Sequence, residues 1–158
     1  MVTIILLALT ITQQTNWRIM LDKAYQSEEA AIAMLTKLQS IPNPSATERA
    51  YQGTVQMLMA EHTFFPWNKL KHFSAGSKML DEAIEDDKDN AEIRLLRFAC
   101  QSNIPDFLGY NKAIDADKAV LMNQLKKSND PDLNRRIKKI MAESKHIPDH
   151  EKTKLSQL

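Results

Sequence analysis

Residues 76–100, GSKMLDEAIEDDKDNAEIRLLRFAC, decide the fold of this chain. With Phe73 just ahead, Gly76, Leu80, Ala83 and Ile84 recur at helical spacing, while Lys78, Asp81, Glu82 and Glu85 fall on the opposite face. The run Asp86-Asp-Lys-Asp-Asn90 then breaks the pattern with turn-forming side chains. Asp89-Asn-Ala-Glu92 has the spacing of a capping box and predicts a second helix start. Beyond it Ile93, Leu95, Leu96, Phe98, Ala99 and Cys100 cover a wide arc, and Arg94, Arg97 and Gln101 share the remaining edge. The stretch therefore predicts two antiparallel helices joined by an acidic turn, the second of them central to the fold.

The same reading extends outward. Trp17 to Gln39 is helical with a break near Gln26–Ser27, and Ala31, Met34, Leu35 and Leu38 form its apolar stripe. Two prolines in Ser40-Ile-Pro-Asn-Pro-Ser45 force a loop. Ser45-Ala-Thr-Glu48 is a capping box that opens a helix to about Glu61, with Ala50, Tyr51, Val55, Met57, Leu58 and Met59 apolar over more than half its circumference. Gly53 sits on that apolar side, where close approach of another helix explains a residue that otherwise costs about 1 kcal/mol. Pro66 opens the next helix. Pro105 closes the unit after it. Further helices are expected over Lys112–Lys127, after Asp130-Pro131, and from Pro148. No segment alternates as a half-buried strand does. The expected class is all-α, built from antiparallel helical hairpins, about six or seven helices in all.

Composition agrees. The chain has 158 residues, of which 43% are hydrophobic and 26% charged, a globular balance. The formal net charge is +1, so no overall field draws the chain to nucleic acid. Charge is segregated locally: Gly76–Glu92 holds seven acids against two bases, and Asn123 to the end holds nine bases against five acids. The single cysteine, Cys100, excludes an internal disulfide and reads as a small buried hydrophobe.

Met1 to Trp17 carries no charged side chain, and its apolar run at 2–12 is too short to span a bilayer. Its length fits the core of a secretory signal. The expectation is a signal segment over 1–13 and a single helical domain over 14–158, exported to a bacterial periplasm or the extracellular space, with no stable membrane span in the mature chain.

Residues 76–92 resemble the second helix and exit turn of a tetratricopeptide repeat (TPR), with Gly76, Leu80 and Ala83 at its small, large and Ala positions. Lys88 stands where that family prefers Pro, and Gly53 resembles the small residue of the preceding helix. The Gly53–Gly76 spacing exceeds the standard unit by about eleven residues, falling at His62–Asn68. The apolar leader, Tyr51-Gln-Gly, Phe65-Pro-Trp-Asn-Lys-Leu, Glu92-Ile-Arg-Leu-Leu-Arg and Phe107-Leu-Gly-Tyr together resemble small exported bacterial TPR-like proteins of uncharacterised function. The resemblance implies a degenerate right-handed TPR-like stack and export. It implies no site residues.

The sequence holds little that points to catalysis. It has no phosphate loop, nucleophile elbow or dinucleotide fingerprint. The pairs Asp81/Glu85 and Glu82/Asp86 lie on a solvated face, without the desolvation a general acid needs. His146 and His150 are four apart, but Pro148 lies between them, and Glu61-His62 lacks its second histidine. The four histidines read as solvated, with no metal site, cofactor or catalytic residue expected. Arg135-Arg-Ile-Lys-Lys139 has no interleaved aromatic to stack a base, so no nucleic acid is expected.

Two aromatic segments interrupt the helical pattern: Phe64-Phe65-Pro66-Trp67 and Pro105-Asp106-Phe107-Leu108-Gly109-Tyr110. They either pack together to close the core or rim a groove. Arg94 and Arg97 are expected to pair with Asp117 or the acids of the 86–89 turn. The candidate binding residues are Arg94, Arg97, Gln101, Phe65, Trp67, Phe107 and Tyr110. The expected function is non-catalytic binding of a protein or peptide in the cell envelope. The alternative is a small-molecule-binding protein or enzyme using segments 64–67 and 105–110.

Overall fold

The computed structural model describes Gln13, residues 16–127, residues 129–155 and Gln157. The expected signal segment lies, except for Gln13, outside the described residues. Those described contain helices and no strand. They are α1 (16–24), α2 (Glu28–Gln39), α3 (Ala46–His62), α4 (Pro66–Asp86), α5 (Ala91–Asn103), α6 (Ile114–Lys127), α7 (Pro131–Glu143) and α8 (Asp149–Leu155), with a 3₁₀ turn at Asp106–Leu108. The break expected near Gln26–Ser27 separates α1 from α2, which brings the count above the six or seven expected.

Local side chains set the helix starts. Ser27 Oγ accepts the amide of Ala30 at 3.1 Å and starts α2. At α3 the capping box is complete: Ser45 Oγ accepts from Glu48 N at 3.2 Å, and Glu48 Oε2 accepts from Ser45 N at 2.8 Å. Asp130 accepts from Leu133 N at 2.9 Å, with Pro131 in the first turn of α7. The start of α5 differs from expectation. Asn90, not Asp89, is the cap: its Oδ1 accepts from Glu92 N at 3.0 Å and Ile93 N at 3.3 Å. Asp87 causes this by accepting the Asn90 side-chain amide at 2.8 Å, which turns the Asn90 oxygen toward the helix. Helix α6 starts at Ile114, two residues after the expected Lys112. Pro148 precedes α8 and caps it with its carbonyl, which accepts from Glu151 N at 2.9 Å and Lys152 N at 3.0 Å.

The chain divides into two compact units at Met79/Leu80. In the first, Trp17, Leu21, Ala24, Ala31, Met34, Leu38, Ala50, Tyr51 and Val55 are buried. The Trp17 and Tyr51 rings lie 6.5 Å apart. The close approach expected at Gly53 is real, and Gly76 is its partner. A methyl at Gly76 would overlap the Gly53 carbonyl oxygen and the Met57 side chain, and would lie 2.9 Å from Met57 N. In the second unit, α5 packs on α6 and α7, and α8 on α7. Phe98, Leu121, Leu133, Ile137, Met141, Ile147 and Leu155 form its core. Cys100 is buried, as expected.

Candidate functional site

Three candidate residues meet at one carboxylate inside the second unit. Helix α5 presents Arg94, Arg97 and Gln101 on one edge, three and four residues apart, and α6 presents Asp117 opposite. Asp117 Oδ1 accepts from Arg94 Nη1 at 2.8 Å and Arg97 Nη2 at 2.7 Å. Its Oδ2 accepts from Arg97 Nε at 2.9 Å and Gln101 Nε2 at 2.7 Å. The Asp117 side chain is wholly buried. Four short donors fill its lone-pair directions, three of them from guanidinium groups.

The surrounding groups extend this network. Arg97 Nη1 donates to Asp81 Oδ1 at 3.0 Å, and Arg94 Nε donates to the Lys88 carbonyl at 2.8 Å. Gln101 Oε1 accepts from Ala113 N at 3.0 Å, and the Ala113 carbonyl accepts Asp117 N at 2.9 Å. Gln101 thus joins α5 to the entry of α6. Burial acts against the Arg97 charge, but Asp117 and then Asp81 outweigh it and hold the guanidinium above its ordinary pKa. The expected pairing of both arginines with Asp117 is present. Asp81, read as merely solvated, is a further member that helical spacing alone did not identify.

Tyr110 and Phe107 share a segment but differ in environment. Burial first, then the negative charge of Asp81, raise the Tyr110 phenol, so it stays protonated. Phe107 is 85% exposed. Its segment is nevertheless bonded to the rest of the unit. Asp106 accepts from Lys145 Nζ at 2.9 Å and Asn111 Nδ2 at 3.3 Å, and Gly109 N donates to the Asp106 carbonyl at 3.0 Å. Gly109 leaves the turn at φ 69°, a left-handed conformation that glycine adopts without strain. The Lys145 hydrogen bond, followed by the nearby positive charges, holds Asp106 below the usual carboxylate range.

The other aromatic segment lies in the first unit, between α3 and α4. Phe65 and Trp67 stack with centroids 4.9 Å apart, and Phe64 meets Phe65 edge-on at 5.7 Å. These rings touch one another but do not close a core: Phe64 is 89% and Trp67 66% exposed. The core-closing alternative therefore fails for Phe64, Phe65, Trp67 and Phe107.

Two histidines also depart from the solvated reading. His72 Nδ1 is 2.6 Å from Gln56 Nε2, and His146 Nε2 is buried 3.8 Å from Asp106 Oδ1. Among the described residues, no group of three or more His, Cys, Asp or Glu side chains is arranged to hold a metal ion. Among them also, no helix is long and apolar enough to cross a membrane. No protein family, curated protein or solved structure matches the chain.

Proposed function

We propose that this chain is a non-catalytic interaction module of the bacterial cell envelope, a right-handed TPR-like stack of helical hairpins that binds a protein or peptide. One observation carries the reading. The strongest polar constellation, around Asp117, is saturated by internal bonds, while Phe107 stands 85% exposed on a segment bonded to the rest of the unit. Exposed aromatic side chains are typical anchors for protein recognition. The engaged state of Arg94, Arg97 and Gln101 supports binding over catalysis, because all three side chains are already bonded to Asp117. The Gly53–Gly76 contact supports the TPR-like reading, since small residues let paired helices approach closely. The uncharged apolar run at 2–12 supports export.

A photo-reactive amino acid at position 107 of the full chain, irradiated in envelope extract, tests the reading. The expected result is one discrete protein adduct, competed by excess unlabelled chain and absent when the probe is moved to exposed Lys139. Irradiation that yields no adduct at 107, or substrate turnover by the pure chain, contradicts it.

A further inference from the structure

We infer that the corner between α3 and α4 is a docking surface for an anionic lipid bilayer. This goes beyond the protein-binding reading, which rests on Phe107 in the other unit. The corner is three residues long, 63–65, between His62 and Pro66. The Phe65 carbonyl accepts from Asn68 N at 3.0 Å and Lys69 N at 3.1 Å, which ties the corner to the first turn of α4. From it project Phe64, Phe65, Trp67 and Leu70, exposed by 89, 49, 66 and 59%. A side chain lining a groove is shielded by the groove's walls. Phe64 has almost no such shielding, so the cluster is a projection rather than a cleft. A projecting apolar tip suits a soft interface, and Trp and Phe favour the boundary between headgroups and acyl chains.

Charge selects the kind of interface. Residues 62–80 contain no Asp or Glu and three lysines, Lys69, Lys71 and Lys78. Lys69 and Lys71 are exposed beside Trp67 and Leu70. Their alkyl chains can lie along the apolar tip while the ammonium groups reach lipid phosphates. In sequence, Glu61 is the one carboxylate within residues 49–80. The acids of α4 begin at Asp81. Asp81 follows Trp67 by fourteen residues, well beyond the lysines at 69 and 71. Along the sequence the lysines therefore stand nearest the apolar tip, and the acids come later.

Vesicle co-sedimentation of the full chain tests this, using phosphatidylcholine alone and phosphatidylcholine with about 30 mol% phosphatidylglycerol. Binding to the anionic vesicles should be at least about tenfold stronger, since each lysine near such a surface contributes about fivefold. Trp67 emission should shift to the blue and become protected from acrylamide. Phe64→Ser/Trp67→Ser should abolish binding while leaving circular dichroism unchanged, because both side chains are exposed. Lys69→Gln/Lys71→Gln should lose most of the preference for anionic vesicles. Equal binding of Phe64→Ser/Trp67→Ser and the parent would overturn the inference, since the 2–12 segment or another surface would then be responsible. So would equal binding to both vesicle types, absence of vesicle binding, or a photo-adduct at position 64 to a protein or to a second copy of the chain. Vesicle binding without an adduct at 107 would remove the protein-binding reading alone, and an adduct at 107 without vesicle binding would remove this inference alone.

Discussion

Asp117 carries more of the second unit than any neighbouring polar residue, because three side chains of α5 converge on it. Asp117→Ala leaves the Arg94 side chain without its carboxylate and Arg97 with Asp81 alone. Breaking a buried ion pair in this way costs about 3–5 kcal/mol, so urea denaturation should show a loss of that size. Asp106 gives a pH signature at the same scale. Its carboxyl is held below the ordinary 3.8, so its contribution is present above that value and is lost as pH falls through the depressed folded pKa. Lys145→Ala removes the ammonium that bonds the carboxylate, and the Asp106 carboxyl resonance should then titrate at higher pH, closer to 3.8. Two glycines make the residue scale legible in different ways. Gly53 was readable as a close-approach site because it interrupts an apolar helix face. Its partner Gly76 was readable only as part of a repeat-like pattern, since the overlap depends on which two helices meet. Gly76→Ala should cost about 1–3 kcal/mol by overpacking against the Gly53 carbonyl.

The helices themselves were largely legible, because their boundaries are written in local chemistry. Pro66, Pro131 and the Ser45–Glu48 box mark starts that the structure reproduces. The α5 cap was misplaced by one residue because Asp89 and Asn90 are both good caps, and the choice depends on Asp87 reaching the Asn90 amide. This gives a discriminating pair of variants. Asn90→Ala should lower stability by about 1 kcal/mol, whereas Asp89→Ala should change it by less than about 0.5 kcal/mol. Thermal melts followed at 222 nm would separate the two. A larger loss from Asp89→Ala would restore the cap that sequence spacing suggested.

Over the whole chain, the sequence separates core from surface well inside helices and poorly between them. Phe98 is buried on α5, where its neighbours repeat at helical spacing. Phe64 and Phe107 are as apolar, but they lie in short connections where no period exists to assign a face. Their exposure had to come from the structure. The candidate site was partly legible for the same reason. Arg94, Arg97 and Gln101 share a helix edge, which sequence shows. That the edge faces inward onto Asp117 is a matter of packing between α5 and α6. The charged edge is internal, as the expected pairing with Asp117 requires, and Phe64, Phe65, Trp67 and Phe107 face outward.

The charged edge of α5 is engaged within the fold and unavailable to ligands. Nitrogen–proton NMR of the arginine Nε–H groups tests it most directly, with assignment by Arg97→Lys and titration with inorganic phosphate. We predict a resolved, slowly exchanging Arg97 Nε–H that phosphate leaves in place. A rapidly exchanging Arg97 signal that shifts saturably with phosphate would show that the edge is open to ligands.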